Sequence, residues 1–210
     1  GVFEMMDTGL SEVLNPSALF LAARGGEISG ASVFAGNEGS RPILFEIQAL
    51  TAPTTFGTPR RAVVGWDPGR LNMILAVLET RCGLSFSSHD VYLNVAGGLR
   101  ITEPAADLAV AAALVSSKNN VPFPHEAIIF GEIGLSGEVR AVTQCESRLK
   151  EAAKLGFSRA ITPNLNHFHD NKKSVVSGIK ALKVNEISDL NELLSLLVEN
   201  NSENILKKGK

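Results

Sequence analysis

The sequence predicts an α/β (α+β) fold with helices packed on a mixed β-sheet. Three observations predict it. Segments of strand periodicity and segments of helical periodicity alternate from about residue 28 to the end of the chain. Asp67-Pro68 opens a helix in which Leu71, Ile74, Leu75 and Leu78 recur at helical spacing, and Gly83 closes it. Pro104 to Ser117 is an almost unbroken Ala/Leu/Val run with helical propensity and no polar stripe, so it must be buried on most sides, as the central helix of a core.

Taken in order, residues 1–24 read as a linker with two helical turns, because the amphipathic stretch from Gly9 is broken at Asn15-Pro16. From Ile28 to Ala49, two apolar runs flank the turn signal Gly36-Asn-Glu-Gly-Ser, which predicts a β-hairpin. Thr51 to Pro59 carries threonines, prolines and a glycine, the composition of a surface loop. After the Asp67 helix, Asp90 to Ala96 reads as a strand stopped by Gly97-Gly98. Ala127 to Phe130 is a further strand, and the glycines of Gly131 to Val142 suit a sharply turned β element. Glu146 to Lys154 is a helix stopped at Gly156, followed by a strand at Arg159 to Pro163. A polar loop over 164–171, a strand over 181–187 and a helix from Asp189 to Glu199 capped at Ser188 complete the alternation. The domain is thus expected over 25–199, with a disordered tail over 200–210.

Composition sets the function classes. Of the 210 residues 44% are hydrophobic and 20% charged, enough for a sizeable core and too apolar for wholesale disorder. No run approaches the roughly 18 to 20 apolar residues of a membrane span, and no basic-then-apolar leader opens the chain. Cys82 and Cys145 lack a CxxC partner and read as structural thiols of a reducing compartment. Net charge is −2, so any anion-binding site has to be local. The local excess falls in residues 51–100, where Arg60, Arg61, Arg70, Arg81 and Arg100 stand against three acids. Arginine's planar fork suits phosphate, which makes these five candidates for nucleic-acid contact, against a plain solvated face.

Other chemistry is weaker. No G-x-x-x-x-G-K-[ST] loop is present, and Gly97-Gly98-Leu-Arg reads as a tight strand-to-helix turn rather than a phosphate cradle. His167-Phe-His169-Asp170 groups two imidazoles and a carboxylate, but in a polar loop such a group is more often solvated than metal-bound, and no metal site is assigned.

Asn94-Val-Ala-Gly-Gly-Leu-Arg-Ile-Thr-Glu-Pro-Ala-Ala-Asp-Leu-Ala and Phe130-Gly-Glu-Ile-Gly-Leu-Ser-Gly-Glu-Val-Arg-Ala-Val resemble the C-terminal domain of the bacterial-type RadA (Sms) family, which is similar to the proteolytic domain of Lon. Pro59-Arg-Arg, Asp67-Pro-Gly-Arg-Leu, Asp90-Val-Tyr-Leu-Asn-Val and Arg148-Leu-Lys-Glu-Ala-Ala-Lys-Leu-Gly-Phe extend the likeness, in the same order, over about residues 1–195.

The resemblance implies a Lon-like fold serving DNA repair and recombination, in a hexameric ATP-driven motor of branch migration. It also implies an ATPase core and zinc finger outside this chain, so ATP, magnesium and zinc are not expected within it. Lon-type peptidases pair a serine with a lysine; the corresponding positions here hold Ala105 and Glu146, so the chain is expected not to be an enzyme. Ser116, Ser117 and Lys118 sit about 16 Å further along the helix and read as its polar exit. The implied role is a hexameric scaffold and DNA-binding surface. Arg140, Arg148 and Lys150 form a second candidate group beside the five arginines. Alternatives are an oligomerisation platform without DNA contact and, least, a Ser/Lys peptidase. Implied partners are single- or double-stranded DNA, copies of itself and other recombination or replication proteins, with no membrane. Implied locations are the bacterial cytoplasm and nucleoid, or a plastid or mitochondrion.

Overall fold

A computed structural model describes residues 3–7, 9–12, 28–39, 41–55, 57–165 and 182–208. Seven strands form one mixed sheet in the order β11-β10-β7-β3-β4-β6-β5. They are β3 (Ala31–Glu38), β4 (Arg41–Pro53), β5 (Arg61–Val64), β6 (His89–Val95), β7 (Ala127–Ile129), β10 (Arg159–Pro163) and β11 (Lys183–Ile187). Only β4 runs against the others. The cause is local: β3 and β4 are joined by the tight turn at Gly39, with Glu38 opposite Arg41, and a connection that short allows only antiparallel pairing. The connection from β5 to β6 carries α1 (Pro68–Cys82), long enough to return the chain to a parallel neighbour.

Helix α2 (Asp107–Asn119) lies across β3 and β4 at the centre of the core. Every residue from Asp107 to Ser116 is buried, as the missing polar stripe predicts. Helices α1 and α4 (Leu190–Lys208) pack against α2, and α3 (Cys145–Lys154) packs on β3 and β4. Consecutive residues from Ile43 to Ile47 are all buried, so the middle of β4 is covered on both faces. Beyond Ile47 the strand alternates, with Gln48 and Leu50 exposed and Ala49 buried, so one face of that end is open.

Two smaller hairpins complete the described residues: β1 (Phe3–Met6) with β2 (Gly9–Glu12), and β8 (Glu132–Ile133) with β9 (Val139–Arg140). The second is locked to the start of α2, because Gly131 donates its N–H to Ala105 O at 2.8 Å and accepts from Leu108 N at 3.0 Å. The approach is so close that a Cβ at 131 would come within 2.9 Å of Val139, and only glycine fits.

The α1 limits match the sequence reading. Asp67 accepts from Arg70 N at 2.7 Å as N-cap, and Gly83 closes the helix in the left-handed conformation. Four expectations need correction. Residues 3–12, read as linker and helical turn, form a hairpin with Gly9 at φ 110°. Thr51–Pro53 continues β4 rather than opening a loop, because it pairs with His89–Val91. The Pro104 helix starts with a 3-10 turn, Pro104–Ala106, before α2. The final helix is capped by Asp189, which accepts from Asn191 and Glu192 N–H groups, and it runs through the expected tail to Lys208. Its continuation is anchored by Asn200, a buried amide donating to Pro122 O at 2.9 Å. The strand β5 has no counterpart in the sequence reading. The His167-Phe-His169-Asp170 group lies outside the described residues.

Because α2 has no space around its alanines, Ala112→Leu should lower stability by about 1 to 3 kcal/mol through overpacking, read as a lower urea midpoint.

Candidate functional site

Two buried charge clusters flank the start of α2. In the first, Asp107 receives a bidentate pair from Arg70 of α1, Nε to Oδ1 at 2.5 Å and Nη2 to Oδ2 at 2.6 Å. It also accepts from Ile133 N of β8 at 3.0 Å. Burial holds the Asp107 carboxyl above its ordinary value, although the hydrogen bonds from Arg70 and Ile133 pull the other way. The Asp107 hydrogen bond in turn raises the Arg70 guanidinium, so that side chain stays charged. A carboxylate in the first turn of α2 also suits the positive end of the helix.

In the second cluster, Arg148 of α3 is only 1% exposed. Its guanidinium donates to Glu103 Oε2 at 2.6 Å, Ala35 O at 2.5 Å and Thr143 O at 3.1 Å. It also lies between the rings of Phe34 and Phe130, 5.9 and 5.7 Å from their centroids. Taking a guanidinium out of water costs several kcal/mol, and this full set of acceptors offsets that. Glu103 accepts from Asn37 N as well, tying the end of β3 to the entrance of α2.

The positions that the Lon resemblance gives to a nucleophile and a base lie beside this second cluster in sequence. Ala105 is buried in the turn before α2 with its carbonyl bonded to Gly131. Glu146 pairs with Lys150 at 2.6 Å along α3. Ser116 is also committed, since its hydroxyl donates to Val121 O and accepts from Gly30 N. Ser117 accepts from Thr51 N. Lys118 Nζ lies 2.9 Å from a ring nitrogen of His89. Burial, with Lys118 and Arg61 nearby, holds that imidazole below its ordinary value, so at neutral pH it is uncharged. Burial pushes the thiols of Cys82 and Cys145 up, away from nucleophilic character.

The sequence-predicted basic residues divide sharply. Arg148 is enclosed and has no face for a phosphate. Arg61 spends its guanidinium on the carbonyls of Arg60, Phe86 and His89. Arg70 is 27% exposed behind its pair with Asp107, and Lys150 and Arg140 are exposed but paired with Glu146 and Glu138. Arg60, Arg81 and Arg100 are exposed.

Arg70 and Arg81 are eleven residues apart on α1, which is about 16 Å along the axis and about 20° around it, so they share one helix face. Arg100 stands across from Arg70 in a groove of about 450 Å³ lined also by Asp67, Gly69, Met73 and Thr102. The β8–β9 hairpin runs beside the same face: Glu132 is 3.8 Å from Arg70, Arg81 Nε reaches toward Leu135 O, and Arg140 sits opposite Glu132 in the register. The helical spacing of Arg70 and Arg81 was visible in the sequence. Their meeting with Arg100 and Arg140 depends on contacts between residues far apart in the chain.

These residues lie within or beside a family match. Residues 50–166 match the family described as Subunit ChlI of Mg-chelatase, and the chain belongs to that family. It is also similar to DNA repair proteins named RadA. The RadA of Brucella abortus is 66% identical over 164 residues, covering 78% of this chain and 35% of that protein. The RadA of Rickettsia felis is 53% identical over 183 residues, 87% of this chain and 41% of the relative. The RadA of Bacillus subtilis is 53% identical over 167 residues, 79% and 36%. The chain therefore spans about two fifths of these relatives or less.

The matches correct one expectation. The family is named for a subunit of an enzyme, Mg-chelatase, so the expectation of a non-enzyme does not stand. That expectation rested on Ala105 and Glu146, which bear on peptide hydrolysis alone. The family's name includes magnesium, so the expectation that no such cofactor belongs to this chain is not supported. Among the described residues no three His, Cys, Asp or Glu side chains come together as a metal-binding group. Among the described residues no helix is long and apolar enough to cross a membrane.

Two measurements check the electrostatics, one at the Arg148 cluster and one at Asp90. Arg148→Met leaves Glu103 without its main partner and should cost about 3 to 5 kcal/mol in urea unfolding, part of it recovered by adding Glu103→Leu. Near Arg60, the Asp90 carboxyl is held below its ordinary value by the Arg60 N–H, with Thr54 and the charges of Arg60 and Arg61 adding to it. A depressed folded value gives stability that is present above the unfolded value of about 3.9 and lost as pH falls through the folded one. An NMR titration should place the Asp90 midpoint below that of an unstructured aspartate.

Proposed function

We propose that this chain works within a RadA-type DNA repair ATPase as the Lon-like part that joins subunits into a hexameric ring and guides DNA during branch migration. The observation that carries the reading is the arginine row along α1: Arg70 and Arg81 on one face, Arg100 across the groove and Arg140 on the adjoining hairpin. On a chain of net charge −2, four guanidiniums beside one helix form a local electrostatic footprint for phosphate. Its acidic neighbours Asp107, Glu132 and Glu138 are engaged by Arg70 and Arg140. Arg81 and Arg100 then supply most of the phosphate contact, and Arg70 and Arg140 hold the surface in shape.

A ring multiplies this surface, so that a patch too weak alone engages several phosphates at once. The chain's partners on this reading are DNA and further copies of itself, in the bacterial cytoplasm at the nucleoid. Arg60 is a separate exposed site at the other end of β5, and Arg61, Arg148 and Lys150 act in the fold rather than on DNA.

The test is fluorescence anisotropy of labelled single- and double-stranded oligonucleotides titrated at several salt concentrations. Binding should weaken steeply with salt, and Arg81→Ala/Arg100→Ala should reduce the slope of log affinity against log salt by about 1 per contact removed. Arg60→Ala should leave the slope unchanged. A double variant that binds as the parent does would refute the α1 surface, and absence of binding at low salt would favour a platform that only oligomerises.

A further inference from the structure

An open apolar surface on the main sheet lies at its β4–β6–β5 end. Strand pairing sets Leu50, Tyr92 and Ala62 in one rung and Gln48, Asn94 and Val64 in the next. On the opposite side of the same strands Ala49, Val91, Leu93 and Val95 are buried, so the first six residues all point outward. Leu50 is 59% exposed, Val64 57% and Tyr92 38%. Among the described residues β5 is also the last strand of the sheet, with β6 as its one partner. An edge strand carrying exposed apolar residues is a template for another chain.

A second apolar surface lies on the β1–β2 hairpin. Met5 and Leu10 are directly opposite in register and therefore share a face, and they are 74% and 69% exposed. Two strands of four residues each are marginal in water without a surface to pack on. The two surfaces also differ in charge. Residues 1–23 contain Glu4, Asp7 and Glu12 and no Lys or Arg. The open sheet face ends at exposed Arg60, with Arg61 and Lys118 at the same end.

We propose that the open sheet face receives the β1–β2 hairpin of a second copy of this chain. The contact buries Met5 and Leu10 against Leu50, Tyr92 and Val64 and brings the acidic hairpin toward Arg60. It joins two different patches, so it is head to tail, the kind of contact that closes into a ring. The inference rests on the proposed ring assembly and adds to it the surfaces that make the joint. It leaves the α1 arginine row uninvolved in the joint.

The test is complementation read by light scattering. Leu50→Asp/Val64→Asp destroys the receiving face and keeps the hairpin; Met5→Asp/Leu10→Asp does the reverse. Each variant alone should be monomeric under conditions where the parent chain is oligomeric, and a mixture of the two should form a one-to-one dimer and nothing larger. Circular dichroism verifies that each is folded. A second measurement avoids the charged substitutions: on a Cys82→Ser background, Leu10→Cys and Val64→Cys chains should cross-link to each other when mixed. Oligomers that survive in both charge variants, monomeric variants that fail to pair, or cross-links only between like chains would overturn the joint while leaving the ring standing. A parent chain that is monomeric at all concentrations would instead remove the ring itself.

Discussion

The Asp107 carboxylate is the point on which the arrangement turns. A helix whose first ten residues are all buried has nowhere among them to place a charge, and α2 carries Asp107 there at 0% exposure. It is tolerated because Arg70 meets it with two parallel hydrogen bonds and Ile133 N–H supplies a third. Those bonds come from α1 and from β8, so satisfying one carboxylate fixes the distance and rotation of both elements against α2. The arginine face of α1 is presented beside the β8–β9 hairpin as a consequence. On this account the surface for phosphate is the outer side of a core requirement.

The same logic separates arginines that the sequence cannot separate. Arg148 and Arg81 are both arginines on helices, yet one lies between two phenylalanines and the other faces water. What decides is whether acceptors are brought to the guanidinium. Arg148 meets Glu103, 45 residues earlier, and Ala35, 113 residues earlier. Arg61 meets Phe86 and His89 only once β5 has paired with β6. Local charge counting treats all of these as solvated.

What was legible in the sequence was what depends on neighbours along the chain. The Asp67 cap and the Gly83 stop stand where spacing and cap chemistry put them, while the β3–β4 hairpin forms with β3 running on through Gly36, Asn37 and Glu38 and the buried Ala/Leu/Val helix starts after a 3-10 turn. The strand β5 escaped because four residues after a proline-rich loop carry no alternation that distinguishes them; pairing with Val91–Asn94 makes them a strand. The last helix was cut short because its polar residues after Glu199 resemble a tail, whereas Asn200 bonds back to Pro122. The resemblance in the glycine-containing segments located the start of α2. It did not reveal that Glu103 and Arg148 form a buried pair there.

The most direct measurement of the central claim is the perturbation of arginine Nε–Hε signals by NMR when an oligonucleotide is added to the folded chain. The account predicts shifts at Arg81 and Arg100, a smaller one at Arg70, and none at Arg148 or Arg61, whose guanidiniums are already engaged. Shifts confined to Arg60, or none among the α1 residues while DNA is bound, would contradict it.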